Sequence, residues 1–256
     1  MTRQRLSRLT MEICDRRSGV GADGVLFLSQ SKSADRKFEI CNADGGWAEK
    51  SGNGLRIAGL HLHLADNRKR RMNFETAVSN EEVAIVKRAG KGYLVRTSLG
   101  KPQFESKLVP VKSKQNFMIN APLDVNGTVF PVTCLSVGNP HTVLFVADFD
   151  FDWETLGADI EFHKAFPNRT NVEFVKQVTR RKVKLADWER GAGATGSSGT
   201  GAAAAVCAGV MLGMLERECE VLFESGSLLI EWVEETGIVE LTGPAEFITK
   251  GTYAFA

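Results

Sequence analysis

The chain has 256 residues, 43% of them hydrophobic and 25% charged, enough for two domains with real cores, and the composition excludes disorder as its main state. With 32 basic and 31 acidic residues the net charge is +1, so nothing in the balance calls for nucleic acid or an anionic membrane as a partner. No apolar run approaches the ~20 residues that span a bilayer.

The amino terminus is polar and basic and lacks the apolar stretch of a secretory signal. Residues 6–17 have helical spacing, with Leu6, Leu9, Ile13 and Cys14 on one face and a stop at the Gly19 turn. Val25-Leu26-Phe27-Leu28 reads as a buried strand, and residues 37–41 as a second strand that delivers Asn42 at its end. A helix is expected over 52–65. Leu60, Leu62 and Leu64 alternate with His61 and His63, which also fits a strand, but the preceding cap favours helix. The basic run Arg68-Lys69-Arg70-Arg71 then complements that helix's C-terminal dipole in solvent. Residues 74–131 are strand-rich, with runs at 83–86, 92–96, 117–119 and 129–132 punctuated by Gly, Asn and Pro. Further strands are expected at 132–137, 142–146, 172–175, 182–186, 225–233 and 237–241. A short helix falls near 150–156 and a second long one over 202–215. The polar stretch Lys112-Ser113-Lys114-Gln115 separates two halves, 1–113 and 114–246, with residues 247–256 returning to the first as an extra strand. Five scattered cysteines, Cys14, Cys41, Cys134, Cys207 and Cys219, lack CxxC spacing, which argues for reduced thiols in a cytoplasm and against a zinc site.

The chain is organised around Glu189-Arg190-Gly191-Ala192-Gly193-Ala194-Thr195-Gly196-Ser197-Ser198-Gly199-Thr200-Gly201, which feeds the Ala-rich run that follows. So many glycines form a turn, not an element interior, and the turn opens a helix N-terminus that invites an anion. Gly199-Thr200-Gly201 lacks the Lys of a nucleotide-binding P-loop. A second copy precedes it: Ser51-Gly52-Asn53-Gly54, running into Leu55-Arg56-Ile57-Ala58. Two Ser-Gly-polar-Gly turns about one domain apart indicate a duplicated chain, with two helix N-termini facing one ligand and a carboxylate held from two sides.

With these turns, Gly19-Val20-Gly21-Ala22-Asp23-Gly24, Phe74-Glu75-Thr76, Gly138-Asn139-Pro140-His141, Phe166-Pro167, Asn171-Val172-Glu173-Phe174 and Thr242-Gly243-Pro244-Ala245 follow in an order that resembles the diaminopimelate epimerase family. The resemblance covers almost the whole chain. It implies an α+β fold of two pseudo-symmetric halves, each a curved antiparallel sheet wrapped around a central helix that is apolar nearly all round. It also implies cofactor-independent epimerisation of L,L- to meso-diaminopimelate in lysine biosynthesis, no metal, a small amino-acid substrate, neither nucleic acid nor membrane as partner, and a homodimer. The residues it assigns to substrate are Asn42, Gly52, Asn53, Asn139, Asn171, Glu189, Arg190, Gly199 and Thr200. Arg190 suits a carboxylate and Glu189 an ammonium.

The chain departs from the family pattern in two ways. The family carries a catalytic Cys in each turn, where this chain has Ser51 and Ser198. The family also begins with a strand and a His-Gly-x-Gly-Asn-Asp-Phe segment, absent ahead of Met1-Thr2-Arg3-Gln4, which is expected to open one side of the first half and remove one substrate contact.

Epimerisation removes an α-proton and returns one from the opposite face, so it needs two acid/base groups. A thiol near pKa ~8.5 can serve; an alcohol is a far weaker acid, close to water. That gap of about 7 units costs about 10 kcal/mol, against which a helix end returns at most ~2 kcal/mol. The Ser51/Ser198 pair is therefore expected to be a poor epimerase unless Glu189 or His141 acts as base. Cys41 points to the opposite strand face from Asn42 and cannot stand in. Three functions follow: a diaminopimelate epimerase impaired by its serines, a catalytically silent diaminopimelate-binding homologue, or a related isomerase or lyase that uses Glu189 or His141.

Overall fold

The structure, a computed structural model, describes residues 1–48, 51–65, 69–77 and 79–255. The chain forms two compact units, Met1–Thr97 with Gly243–Ala256, and Ser98–Thr242.

In the first unit, α1 (Arg3–Cys14) precedes β1 (Gly24–Ser29), β2 (Arg36–Asn42), the two-residue β3 (Trp47–Ala48), α2 (Gly52–Ala65), β4 (Arg71–Glu75), β5 (Asn80–Ala89) and β6 (Gly92–Gly100). The sheet runs β1-β2-β4-β5-β6, with β3 folded back on β2. Its pairs are antiparallel except β2 and β4, which are parallel. Parallel neighbours need a long crossover, and α2 is that crossover. Its inner face packs Leu55, Ala58, Leu60 and Leu62 against Phe38, Met72, Phe74, Val83 and Val95. Gly59 lets the helix approach the sheet: a Cβ there would lie 2.4 Å from Val83 Cγ1.

The second unit contains β7 (Ala121–Val125), β8 (Thr128–Ser136), β9 (Pro140–Phe145), α3 (Trp153–Glu161), β10 (Asn171–Thr179), β11 (Lys182–Glu189), the two-residue β12 (Gly193–Ala194), α4 (Gly199–Met211), β13 (Glu218–Phe223), β14 (Gly226–Trp232) and β15 (Val239–Ala245), whose last three residues return to the first unit. The strand order is β15-β14-β13-β11-β10-β9-β8-β7, with β12 folded back on β11. Two pairs are parallel, β9 with β10 across α3 and β11 with β13 across α4. Residues 202–208 of α4 are all 0% exposed, so this helix is the core of its unit. A second cluster lies between α3 and β7–β10, with Ile160, Phe166, Val172 and Phe174 at its centre.

Each unit is thus a mainly antiparallel sheet with a central helix, with one parallel pair in the first and two in the second. The local differences from expectation have physical reasons. The first helix begins three residues earlier, because Thr2 caps it, and ends at Asp15, whose carboxylate accepts from Arg17 N and Ser18 N. β1 is half-buried, being the edge strand, and not buried as read. The run 117–119 contributes only a bridge, Phe117 to Glu105, and the strand lies at Ala121–Val125, where β7 pairs only with β8 and tolerates Pro122. β13 was not read. α2 is less uniformly buried than expected: Asn53, Ile57, His61 and Leu64 form an exposed stripe, whereas α4 is apolar on nearly every face. Of the basic run, Arg68 lies outside the described residues, while Lys69 pairs with Asp35 and Arg71 with Glu82. Residues 246–255 form no strand, and Phe255 lies under the Arg5 guanidinium at 5.4 Å. No helix among the described residues is long and apolar enough to cross a membrane.

Candidate active site

The two serine turns are built alike. In each unit a strand ends, a two-residue strand folds back on it, and the chain then enters the crossover helix. In the first unit, β3 pairs with the end of β2, Ala48 opposite Ile40 and Trp47 opposite Cys41. In the second, β12 pairs with the end of β11, Ala194 opposite Trp188 and Gly193 opposite Glu189. Ser51 Oγ accepts from Gly54 N at 3.1 Å, and its carbonyl from Leu55 N at 2.9 Å. Ser198 Oγ accepts from Gly201 N at 3.1 Å, and its carbonyl from Ala202 N at 3.0 Å. Both serines therefore serve as N-caps. The N–H groups of Gly52 and Asn53, and of Gly199 and Thr200, precede the first intrahelical bond and are the donors each turn offers an anion.

In the first unit Ser51, Gly52 and Asn53 form the α2 turn, and Asn42 stands at the end of β2. Asn42 is exposed where β2 ends, Ser51 and Gly52 are half-buried, and Asn53 is exposed. In the second unit the register gathers the rest at one end of three strands. Asn171 lies opposite His141, and Val172 opposite Trp188, so Glu189 and Arg190 leave β11 beside the start of β10. Asn139 Nδ2 donates to Thr200 Oγ1 at 3.5 Å, linking this end to the α4 turn.

These residues are not equally available to a ligand. Asn171 is 4% exposed and its amide is engaged at both ends: Nδ2 donates to Pro140 O at 2.8 Å and Oδ1 accepts from Arg190 N at 2.9 Å. It fixes the backbone of Arg190, whose exposed side chain donates to Asn168 O. His141 is 0% exposed, with Nδ1 2.6 Å from Glu173 Oε1 and Nε2 2.9 Å from Asn139 Oδ1. Nε2 must donate to that amide oxygen, whichever member of the His141–Glu173 pair holds the other proton, so its lone pair is unavailable. His141 holds Asn139; in this arrangement it is not a base in contact with a ligand.

Three buried carboxylates were not read from the sequence. Glu161, 2% exposed, accepts from Trp188 Nε1 at 2.8 Å and Gly191 N at 3.0 Å, clamping the turn that carries Glu189 and Arg190. Glu173 and Asp187 face each other across β10 and β11, 1% and 2% exposed. Burial pushes both carboxyls up; His141 opposes this for Glu173, and Thr195 for Asp187. Thr195 Oγ1 reaches both Asp187 Oδ2, at 2.7 Å, and Glu189 Oε1. One hydroxyl proton cannot serve two carboxylates, so both contacts of the Thr195 hydroxyl are satisfied when Asp187 is protonated and donates to it. The only available cue was a charge on the inward face of an alternating strand, Val183, Leu185, Asp187.

A raised carboxyl contributes stability that is complete below its unfolded value, here 3.8, and lost as pH rises through the folded value. Asp187→Asn supplies the donor to Thr195 permanently and removes the buried charge. It is expected to stabilise the protein at neutral pH by about 1 kcal/mol and to flatten the pH dependence above the unfolded value. Urea unfolding of both forms at pH 5 and pH 8 measures this; parallel curves would show that Asp187 carries no linked proton.

Comparison with solved structures first shows the fold. The chain is similar to a phenazine biosynthesis protein of the PhzF family from Bacillus anthracis, with TM-score 0.65 and 14% identity over 95% of this chain and 86% of that one. It is also similar to a hydroxyproline epimerase from Agrobacterium vitis, with TM-score 0.65 and 14% identity over 94% of this chain and 76% of that one. At such identity the likeness is one of fold. The family follows from sequence. The diaminopimelate epimerase family model matches residues 2–105 and 133–248. The diaminopimelate epimerase of Pelotomaculum thermopropionicum is 40% identical over 249 residues, 96% of this chain and 89% of the relative. That of Carboxydothermus hydrogenoformans is 40% identical over 255 residues, 99% and 91% of the two chains. The chain belongs to the diaminopimelate epimerase family.

Proposed function

We propose that this protein binds diaminopimelate and epimerises its α-carbon without a cofactor, slowly because serine occupies both acid/base positions. What supports this most is the repeated strand, return strand and serine-capped helix N-terminus, one copy in each unit of a chain that matches the family nearly end to end. The orphan N–H groups and dipole of a helix start stabilise the charge that develops on an α-carboxylate as the proton leaves. Glu189 and exposed Arg190 suit an ammonium and a carboxylate respectively. Asn42, Asn53 and Asn139 supply amides that orient the amino acid, and Asn171 acts through Arg190. The assignment of Ser51 and Ser198 as the proton-transfer positions rests on their place in the two turns. Buried thiols at all five cysteines fit a reducing cytoplasm.

The test combines binding and exchange. Calorimetry with L,L-diaminopimelate should show saturable binding, and NMR in deuterated water should show α-proton loss far slower than binding. Absence of binding overturns the substrate. Fast exchange that persists in Ser51→Ala and is lost in Glu189→Gln overturns the role given to the serines.

A further inference from the structure

The second turn of α2 carries a charge that the described residues leave without a counterpart. Arg56 is 7% exposed, and among the described residues its Nε and Nη1 have no hydrogen-bond partner. Its one hydrogen bond among those residues is from Nη2, which donates to Asn53 Oδ1 at 2.9 Å. No carboxylate among the described residues pairs with it, unlike buried Glu173, which has His141, and Glu161, which has Arg169. Burial alone pushes the guanidinium down to about 10, so it remains a cation at neutral pH. A buried cation without an anion is among the costliest arrangements a core can hold.

The Asn53 contact tells where the compensating anion belongs. A guanidinium only donates, so it must face the amide oxygen, and the Asn53 Nδ2 donors are turned away from it. Asn53 is exposed, and its own N–H and that of Gly52 precede the first intrahelical bond. Cation, amide donors and helix start therefore act on one spot.

We infer that Arg56 is the countercharge and positioning residue of a carboxylate site on the first turn of α2, holding the Asn53 amide with its donors outward and offsetting the bound anion's charge from beneath. Which carboxylate binds there rests on the diaminopimelate reading above; the anion site rests on Arg56 alone.

The experiment follows the Arg56 Nε–H and Asn53 Nδ2 resonances of the full chain, assigned by their loss in Arg56→Met and Asn53→Ala. The protein is titrated with L,L-diaminopimelate and, separately, with sodium acetate against sodium chloride at equal ionic strength. Both resonances are expected to move with either carboxylate. Arg56→Met should bind diaminopimelate at least about tenfold more weakly, or about 1.4 kcal/mol. Without ligand it should melt no lower than the wild type, because it has lost an uncompensated charge. Resonances unmoved at saturation, or unchanged affinity in Arg56→Met, would make Arg56 a structural cation and overturn the site. Movement with acetate but no binding of diaminopimelate would keep the anion site and remove the substrate reading. Should Arg56→Met not fold, Arg56→Lys is used: it keeps the charge and loses the fork. A displaced Asn53 resonance with several-fold weaker binding supports the site, and wild-type affinity overturns it.

Discussion

Replacing Ser51 and Ser198 together by cysteine is expected to raise the rate of α-proton exchange in L,L-diaminopimelate by about 10³- to 10⁴-fold. The argument is one of acidity. Forming an alkoxide in place of a thiolate costs about 7 pKa units, or about 10 kcal/mol. If about half of that difference is expressed at the transition state, the gain is about 5 kcal/mol, or three to four decades in rate. A helix start favours the thiolate further, since it lowers the pKa of a cysteine placed there. The single variants separate the two roles. Each should exchange the proton of one face, and only the double variant should also convert the L,L form into the meso form. The same substitutions should cost stability. Both serine oxygens accept from a backbone N–H three residues on, at 3.1 Å, and sulfur is a weak acceptor. Two weakened caps should lower stability by about 2 kcal/mol in total. Serine therefore makes the better cap and the poorer base. Proton NMR in deuterated water measures the rate and urea unfolding the stability; equal exchange by wild type and double variant would show that these positions do not transfer the proton.

The turns were legible because their residues are local: five glycines and two serines in short windows define a turn and a cap whatever surrounds them. The helix after Gly52 was legible for the same reason, and the structure explains the ambiguity at its end. His61 is exposed and His63 buried with Nδ1 on Lys69 O, because residues two apart fall on nearly opposite sides of a helix, whereas in a strand they would share one face. What remained hidden depends on distant partners. β3 and β12 are two residues each, too short for any periodicity, yet they make the two turns equivalent. The parallel pairs that make α2 and α4 crossovers join strands remote in sequence. The spacing of Asn53 and Arg56 shows that they can meet on a helix; only the fold shows that no other described residue hydrogen-bonds Arg56. Glu161 carries no local signal, since a carboxylate in a last helical turn looks like a solvated residue until Trp188 and Gly191 arrive from β11 and its turn.

Glu173→Leu is expected to destabilise the protein by about 3–5 kcal/mol, the cost of breaking a buried pair from one side. It leaves His141 Nδ1, in a residue that is 0% exposed, without its partner at 2.6 Å. His141→Leu should cost a similar amount, because the Glu173 carboxyl already has one oxygen unpartnered and would then have two. The double variant should recover much of the loss, since replacing both members removes the unsatisfied groups along with the pair. Urea midpoints of the four proteins close the cycle; a coupling energy near zero would show that the pair does not act as a unit. The effect should also reach the α4 turn. Glu173 Oε1 lies 3.1 Å from where a Cβ on Gly201 would sit, and His141 orients Asn139, which donates to Thr200. In the cysteine background, breaking the pair should therefore lower exchange through the Ser198 position and leave exchange through the Ser51 position unchanged. A loss of equal size at both positions would mean that the pair supports the fold in general and not the α4 turn.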